Sequence, residues 1–176
     1  MSWIKEYVRT IPDYPQDGIM FRDVTTIFQS EIAYPRMIDE FVEEYRGKGI
    51  TKVAGIEARG FILGGAIAHA LGLGFVTIRK HGKLPHHTYR QKYALEYGED
   101  AIEIHKDGLT KGDHVLIVDD LIATGGTAIA AQKLITKAGG IVSHACFIID
   151  LPELGGTTEL KKHGCEVYTI AEYEGL

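Results

Sequence analysis

The chain has 176 residues, a length typical of one domain, and we expect residues 1–176 to form a single unit. Hydrophobic residues make up 45% and charged residues 24%, proportions that exclude disordered, collagen-like and coiled-coil chains. Nineteen Lys and Arg against 24 Asp and Glu give a net charge of −5, which argues against a protein that binds nucleic acid. Any anion-binding site must therefore be local.

The cysteines and the N-terminal residues indicate a cytoplasmic protein. Cys146 and Cys165 are far apart and lack metal-ligand spacing, so we expect neither a disulfide framework nor a zinc cluster. An acid and an aromatic stand where a signal peptide needs a basic region and a long apolar run. Residues 61–78 carry no charge and are long enough for a membrane span, but Gly72 and Gly74 indicate a helix end followed by a strand. We expect no membrane association.

The hydrophobic pattern predicts an α/β fold. Apolar residues recur at helical spacing between Pro35 and Gly47, which predicts an amphipathic helix. Beyond it, short runs rich in β-branched and apolar residues alternate with helix-like segments. The predicted strands are 52–56, 75–78, 115–118 and 141–149, and the predicted helices are 60–71 and 127–137. This alternation predicts a central, mostly parallel sheet flanked by helices.

Two segments depart from the alternation. Residues 1–32 contain Pro12, Pro15 and Gly18, which forbid a long helix, and we interpret them as a separate cap. Residues 79–100 are polar and aromatic, carry Gly and Pro, and are too long for an ordinary connection. We interpret residues 80–99 as a mobile flap over a site.

Residues 115–127 carry the clearest chemical signal, because they run from a predicted buried strand into a predicted helix. Gly125 and Gly126 allow a tight turn whose N–H groups converge, and Thr124 and Thr127 add hydroxyl donors. The following helix presents its positive N-terminus to the same point. Residues 123–127 are therefore predicted to be a phosphate cradle.

Two carboxylates, Asp119 and Asp120, lie immediately upstream of this cradle. Because acids repel a phosphate, they are better suited to accept hydrogen bonds from the vicinal hydroxyls of a sugar, or to approach Mg²⁺. A ribose 5-phosphate satisfies both halves of the pattern. Its predicted position, beyond the carboxyl end of a strand, is where open α/β sheets bind ligands.

Other interpretations of this segment remain. Apolar residues that end in two aspartates resemble the Walker B strand of an NTPase, but the chain contains no G-x-x-x-x-G-K-[ST]. The glycines could also form a plain turn that opens a helix, with the acids as caps.

Over nearly its whole length the sequence resembles the type I phosphoribosyltransferases, and within them the adenine-specific members. Residues 115–127 match the family signature for phosphoribosyl pyrophosphate (PRPP). The narrower resemblance rests on five further blocks in chain order: PDYP (12–15), GIMFRD (18–23), GIEARGF (55–61), IRK (78–80) and LEYG (95–98).

The resemblance implies an enzyme of purine salvage. It would transfer the 5-phosphoribosyl group from PRPP to adenine through an oxocarbenium-like state, giving AMP and pyrophosphate. Mg²⁺ would be held mainly by the sugar substrate, with no direct protein ligand, and the enzyme would be a homodimer. The implied fold is the single-domain type I phosphoribosyltransferase fold, with the cap as a hood over the base and the flap over the reacting centre.

The resemblance also implies roles for individual residues. Ribose and the 5′-phosphate would be held by Asp119, Asp120, Ala123, Thr124, Gly125, Gly126 and Thr127. Pyrophosphate would be held by Glu57, Ala58, Arg59, Arg79, Lys80 and Lys83. The Glu57–Ala58 peptide would be cis, and Arg79 would be offered across the dimer interface.

For the base and the chemistry, the resemblance implies a second set. Adenine would be held by Met20, Phe21, Arg22 and Leu121, with Phe21 stacked on the purine. The catalytic residues would be Glu96 and Tyr97 in the flap, together with Arg59.

Residue type alone leaves several alternatives. Phe21 could be a core residue, Arg79, Lys80 and Lys83 an ordinary solvated basic cluster, and Glu96 a solvent-facing acid. The chain could also be a regulatory sensor of PRPP that does no chemistry, although its charge and the absence of a helix-turn-helix extension count against this. An enzyme for hypoxanthine, guanine or xanthine would share the sugar site. The pattern assigns no role to His86, His87 or Tyr89.

Overall fold

The computed structural model describes residues 2–94 and 98–174. Its strands are β1 (Arg9–Ile11), β2 (Phe21–Asp23), β3 (Lys52–Ile56), β4 (Gly74–Lys80), β5 (Thr88–Ala94), β6 (Glu99–His105), β7 (His114–Ile122), β8 (Ile141–Asp150) and β9 (Glu166–Glu172). Its α-helices are α1 (Thr25–Phe28), α2 (Ala33–Tyr45), α3 (Arg59–Leu71), α4 (Gly126–Lys137) and α5 (Gly156–Lys162). Two short 3₁₀ helices cover Trp3–Tyr7 and Pro152–Leu154.

In the described part of the chain, seven strands form the central sheet in the order β5-β6-β4-β3-β7-β8-β9. The five strands from β4 to β9 in that order run parallel, whereas β5 and β6 pair antiparallel at one edge. The predicted α/β fold with a mostly parallel sheet is therefore confirmed. Strands β1 and β2 form a separate antiparallel pair near the N-terminus.

The sheet carries one hydrophobic core on each face. Alternate residues of β7 show this, since Leu116 and Val118 pack with α2 and α3, whereas Ile117 packs with α4 and α5. The predicted amphipathic helix is α2, which buries Phe41 and its neighbours at helical spacing. Because both faces are covered at the centre of the sheet, β3, β7 and β8 consist of nearly continuous apolar runs.

The carboxyl ends of the parallel strands lie along one edge of the sheet. Two residues separate the end of β3 from the start of α3, and three residues separate the end of β7 from the start of α4, as the predicted strand-to-helix segments require. Within the described residues, the loops that follow β3, β4, β7 and β8 therefore meet at this edge. It is also the edge at which open α/β sheets bind ligands.

The described part of the predicted flap contains regular structure. Strand β5 pairs with β6 from Thr88 opposite His105 to Ala94 opposite Glu99. Along β5, half-buried residues such as Tyr89 alternate with exposed residues such as Arg90. The exposed face is polar, so the strand lacks the apolar run that identified β3, β4, β7 and β8. The mobility and bounds of the flap stay predictions, as do the bounds of the cap.

The uncharged stretch at residues 61–78 consists of most of α3 and the first part of β4. None of the helices in the described residues has the length and apolar character needed to cross a membrane.

Gly64 on α3 tests how tightly this helix is packed on the sheet. A Cβ at Gly64 would lie 2.6 Å from the ring of Phe75, and that ring is also confined by Gly55, where a Cβ would lie 2.7 Å away. We therefore expect Gly64→Ala to lower the free energy of unfolding by about 1–3 kcal/mol through overpacking. Denaturant unfolding measures this change.

The adjacent Gly65 is the matched control, because a Cβ there would meet nothing within 4 Å. Gly65→Ala should raise the free energy of unfolding by about 0.5–1 kcal/mol, the usual gain of Ala over Gly inside a helix. Equal effects of the two substitutions would contradict the close packing of α3.

Candidate active site

The predicted phosphate cradle is the turn between β7 and α4. Gly125 caps the helix with φ +83°, a left-handed conformation that favours glycine. The turn borders a cavity of about 130 Å³. This cavity is lined by Asp119, Leu121, Ile122, Ala123, Thr124, Gly125, Gly126, Thr127, Ala128 and Phe147. The structure thus brings the five predicted cradle residues together with Asp119 and Leu121.

The two predicted ribose carboxylates have different surroundings. Asp120 is buried and forms an ion pair with Arg59, whose Nε donates to Asp120 Oδ2. Asp119 lines the cavity, and its Oδ1 accepts the N–H of Asp120 at 2.9 Å. Loss of hydration and the neighbouring Asp120 carboxylate raise the pKa of Asp119 well above its usual range. The free site therefore contains one carboxylate with a guanidinium partner and one that resists ionisation.

The predicted pyrophosphate loop joins β3 to α3. Its Glu57–Ala58 peptide is cis, as predicted, and α3 begins at the next residue, Arg59. The N–H groups of the first turn of α3 are directed towards the carboxyl edge of the sheet, as the geometry of an α-helix requires.

The predicted pyrophosphate cations are held by acidic partners. Arg79 Nη2 lies 3.3 Å from Glu57 Oε2 and Lys83 Nζ lies 3.8 Å from the same oxygen, while Oε1 accepts the backbone N–H of Lys80. The Lys80 ammonium instead pairs with Asp100 at 3.3 Å. The three cations are therefore gathered around two carboxylates at the edge of the sheet.

The same contacts change the ionisation of Glu57. Partial burial acts to raise the pKa of Glu57, but the Lys80 N–H, the Arg79 guanidinium and the Lys83 ammonium outweigh it and lower that pKa below its usual range. Glu57 is therefore ionised at neutral pH and can hold the cations in place.

The predicted adenine residues of the cap lie on and beside β2. Phe21 is half-buried, outside both hydrophobic cores, and the ring of Tyr14 packs edge-on against it at 5.2 Å. Met20 is exposed. The Arg22 guanidinium lies 4.3 Å from the centre of the Tyr173 ring and donates to Thr10 Oγ1 at 2.7 Å. Phe21 is therefore accessible, which a fully buried core residue would not be.

The predicted catalytic residues Glu96 and Tyr97 lie outside the described residues. The end of β5, just before them, is close to the cradle, since a Cβ at Gly126 would lie 3.8 Å from the carbonyl oxygen of Ala94. Strand β5 thus ends beside the predicted phosphate cradle.

Three residues without a predicted role contact the site. A Cβ at Gly60 would lie 2.7 Å from the carbonyl oxygen of Val118, so α3 contacts β7 through backbone. Gly156 makes a similar contact with the cradle, and Tyr173 packs on Arg22. The sequence contains Gly155-Gly156 as a visible turn signal, but nothing in it indicates what this turn contacts.

Residues 23–170 match the family model described as the phosphoribosyl transferase domain. Together with the fold and the edge site, this match defines the chain as a phosphoribosyltransferase. Among curated proteins it is similar to the adenine phosphoribosyltransferase of Methylobacterium radiotolerans, with 60% identity over 172 residues that cover 98% of this chain and 95% of the relative. The enzyme of that name from Sinorhizobium medicae is 58% identical over 96% of this chain and 93% of its own.

Solved structures of adenine phosphoribosyltransferases are also similar to this chain. The adenine phosphoribosyltransferase of Rhodothermus marinus superposes with a TM-score of 0.90 at 46% identity, covering 97% of this chain and 96% of that one. The enzyme from Saccharomyces cerevisiae, solved with adenine and an imino-altritol bisphosphate, gives a TM-score of 0.89 at 37% identity over 96% of each chain. The chain belongs to the adenine phosphoribosyltransferase family.

The raised pKa of Asp119 predicts that this carboxylate costs stability. Its folded pKa lies above the 3.8 of an unfolded chain, so the unfolded state binds fewer protons in that interval and stability falls as pH rises through it. Asp119→Asn keeps an oxygen that can accept the Asp120 N–H and removes the charge. We expect it to unfold at higher denaturant concentration than the parent at pH 7, with the gain shrinking as pH is lowered.

The control for this measurement is Asp39→Asn, at an exposed position on α2, which should leave the unfolding midpoint nearly unchanged at both pH values. An Asp119→Asn protein less stable than the parent at pH 7 would show that the carboxylate is stabilised in the free site.

Proposed function

We propose that this chain catalyses transfer of the 5-phosphoribosyl group from PRPP to adenine, giving AMP and pyrophosphate. One observation carries the proposal: the cradle lies at the same edge of the sheet as the loops after β3 and β4, which hold cations. Asp119 lies beside the cradle. A sugar that carries a phosphate at one end and a diphosphate at the other needs both anion sites at this edge. The names of the relatives support the same reaction.

The 5′-phosphate would bind in the cradle. The first N–H groups of α4 have no partner inside the helix, so they can donate to phosphate oxygens, and the helix dipole favours the negative charge. Hydroxyls of Thr124 and Thr127 would add donors, while Ala123, Gly125 and Gly126 leave room for the phosphate to approach the backbone.

The ribose would lie next to the cradle. Asp119 and Asp120 would accept hydrogen bonds from its 2′- and 3′-hydroxyls, which offer neutral donors to carboxylates that a phosphate would repel. Arg59 already holds Asp120 in the free protein, so one of the two acceptors is oriented before substrate arrives.

The diphosphate would bind at the loop after β3. Backbone N–H groups near Ala58 and Arg59 would donate to it, and Arg79, Lys80 and Lys83 would supply positive charge. Glu57 would gather two of these cations when the site is free. In the homodimer that we propose, Arg79 would serve the partner's site.

The base would bind under the cap. Phe21 would stack on the purine, backbone groups of Met20 and Arg22 would recognise its polar edge, and Leu121 would line the other side. Because adenine has an exocyclic amine, the pocket must offer an acceptor there, which would face the carbonyl of a 6-oxopurine.

The reaction breaks one bond to the ribose C1 atom and forms another. The bond from C1 to the diphosphate oxygen breaks, its electrons leave with pyrophosphate, and N9 of adenine forms the new bond to C1. The cations at the loop after β3 would stabilise the leaving group, and the carboxylates would stabilise the oxocarbenium-like centre. Glu96, near N7 of the base, would accept the proton that the imidazole ring loses as N9 bonds to C1, with Tyr97 beside it and Arg59 at the ribose.

The predicted flap would close over this centre and exclude water, which would otherwise attack the same carbon. Mg²⁺ would reach the site on PRPP and neutralise the diphosphate; within residues 2–94 and 98–174 there is no group of three or more metal-ligating side chains arranged to hold an ion. The carboxylates of Asp119 and Asp120 are the groups at this edge that fit a substrate-borne ion.

Both thiols, Cys146 and Cys165, are free and buried, which supports a reducing cytoplasm.

The experiment that tests the reaction supplies Mg²⁺ and PRPP with each purine base separately and measures nucleotide formation. We expect AMP from adenine, with kcat/KM about 10⁴ higher than for hypoxanthine, because an unpaired buried acceptor rejects the 6-oxopurine. Comparable values for both bases would refute the base assignment and leave the sugar site standing. PRPP binding without turnover of any base would instead support a regulatory sensor.

The cradle is tested by Gly126→Leu. A Cβ at Gly126 would have no neighbour closer than 3.8 Å, so the substitution should leave the fold intact while its side chain fills the phosphate position. We expect kcat/KM for PRPP to fall about 100-fold or more with an unchanged melting temperature. Gly126→Ala, the matched control, should lose less. If the Leu variant bound PRPP as tightly as the parent, this turn would not be the phosphate-binding site.

A further inference from the structure

Gly156, at the start of α5, lies against the back of the cradle although it is 29 residues or more away in sequence. Its backbone N–H donates to the carbonyl oxygen of Ala123 at 2.9 Å. Close by, the N–H of Leu151 donates to Ile122 O at 3.0 Å. The segment between β8 and α5 is therefore hydrogen-bonded to the cradle where it leaves β7.

The contact is too close for any side chain on either partner. A Cβ on Gly156 would lie 2.4 Å from Ala123 O and 2.7 Å from the backbone nitrogen of Gly125. From the other side, a Cβ on Gly125 would lie 2.9 Å from the Cα of Gly156. The third near atom is Cγ1 of the Ile122 side chain, at 2.8 Å. Because the two nearest atoms belong to the cradle backbone, a side chain at Gly156 could be accommodated only if the cradle itself moved.

We propose that Gly156 is a positioning residue for phosphoribosyl binding, which holds the cradle in the shape that receives the 5′-phosphate. This inference rests on the proposed function, because it assumes that residues 123–127 bind that phosphate. Gly156 does not touch the substrate in this proposal. It acts through Ala123 and Gly125, whose backbone positions determine where the cradle N–H groups point.

The adjacent Gly155 separates this role from a general need for glycine in the turn. Gly155 has φ +78°, so a side chain there is strained, but its Cβ would meet nothing within 4 Å. Gly155→Ala therefore strains the same turn without pushing on the cradle. Gly156→Ala does the reverse, since Gly156 has no positive φ and its Cβ meets cradle backbone.

The test compares the steady-state kinetics and melting temperatures of the parent, Gly155→Ala and Gly156→Ala. We expect Gly156→Ala to raise KM for PRPP about tenfold or more, while kcat/KM for adenine at saturating PRPP stays within about twofold of the parent. Gly155→Ala should lower the melting temperature and leave KM for PRPP unchanged. A Gly156→Ala protein with parental KM for PRPP, or one that raises both Michaelis constants equally, would overturn the proposal.

A measurement on the parent enzyme decides the case in which Gly156→Ala does not fold. Ribose 5-phosphate should slow amide hydrogen exchange in residues 151–160 as well as in 123–127, because binding orders the cradle to which Gly156 donates. Protection confined to residues 123–127 would overturn the proposal. Failure of the proposed function has a different signature, namely a parent enzyme that forms no AMP.

Discussion

The candidate site, at the carboxyl edge of the parallel sheet, depends on close approach of one backbone segment to another. Gly60 at the start of α3 lies against β7 at Val118, and Gly156 at the start of α5 lies against the turn that follows β7. Neither contact tolerates a Cβ without movement of the neighbouring backbone. These contacts hold the end of β7 from two sides, so its carboxylates and the following turn keep a defined position relative to the loop after β3.

Charge at this edge is organised in pairs. Arg59 pairs with Asp120, Arg79 with Glu57, and Lys80 with Asp100. A chain with a net charge of −5 can therefore keep several cations at one point, because each is held by a nearby carboxylate. Among the described residues Asp119 has no such ion-pair partner, and its burial beside the Asp120 carboxylate raises its pKa, so the charged form of Asp119 is disfavoured in the free site.

The apolar strands were predictable because a parallel strand covered on both faces is a continuous hydrophobic run. The predicted strand at 52–56 coincides with β3, and the predicted helices differ from α3 and α4 by one residue at the N-terminus. Strands β5, β6 and β9 of the central sheet and helix α5 were not predicted. The exposed face of β5 is polar, and α5 has only seven residues, too few for a helical period to be recognised.

The sequence by itself determined the α/β class, the glycine turn after β7 and, through its resemblance to a family, the cis Glu57–Ala58 peptide. Such features are encoded in residues that are neighbours along the chain. Only the tertiary structure decided which charged residues pair: Glu57 with Arg79 and Lys83, and Asp120 with Arg59. It also decided that Gly156 lies behind the cradle. These contacts join residues far apart in sequence, and they form only when the strands and helices pack, so no local pattern of residues can report them.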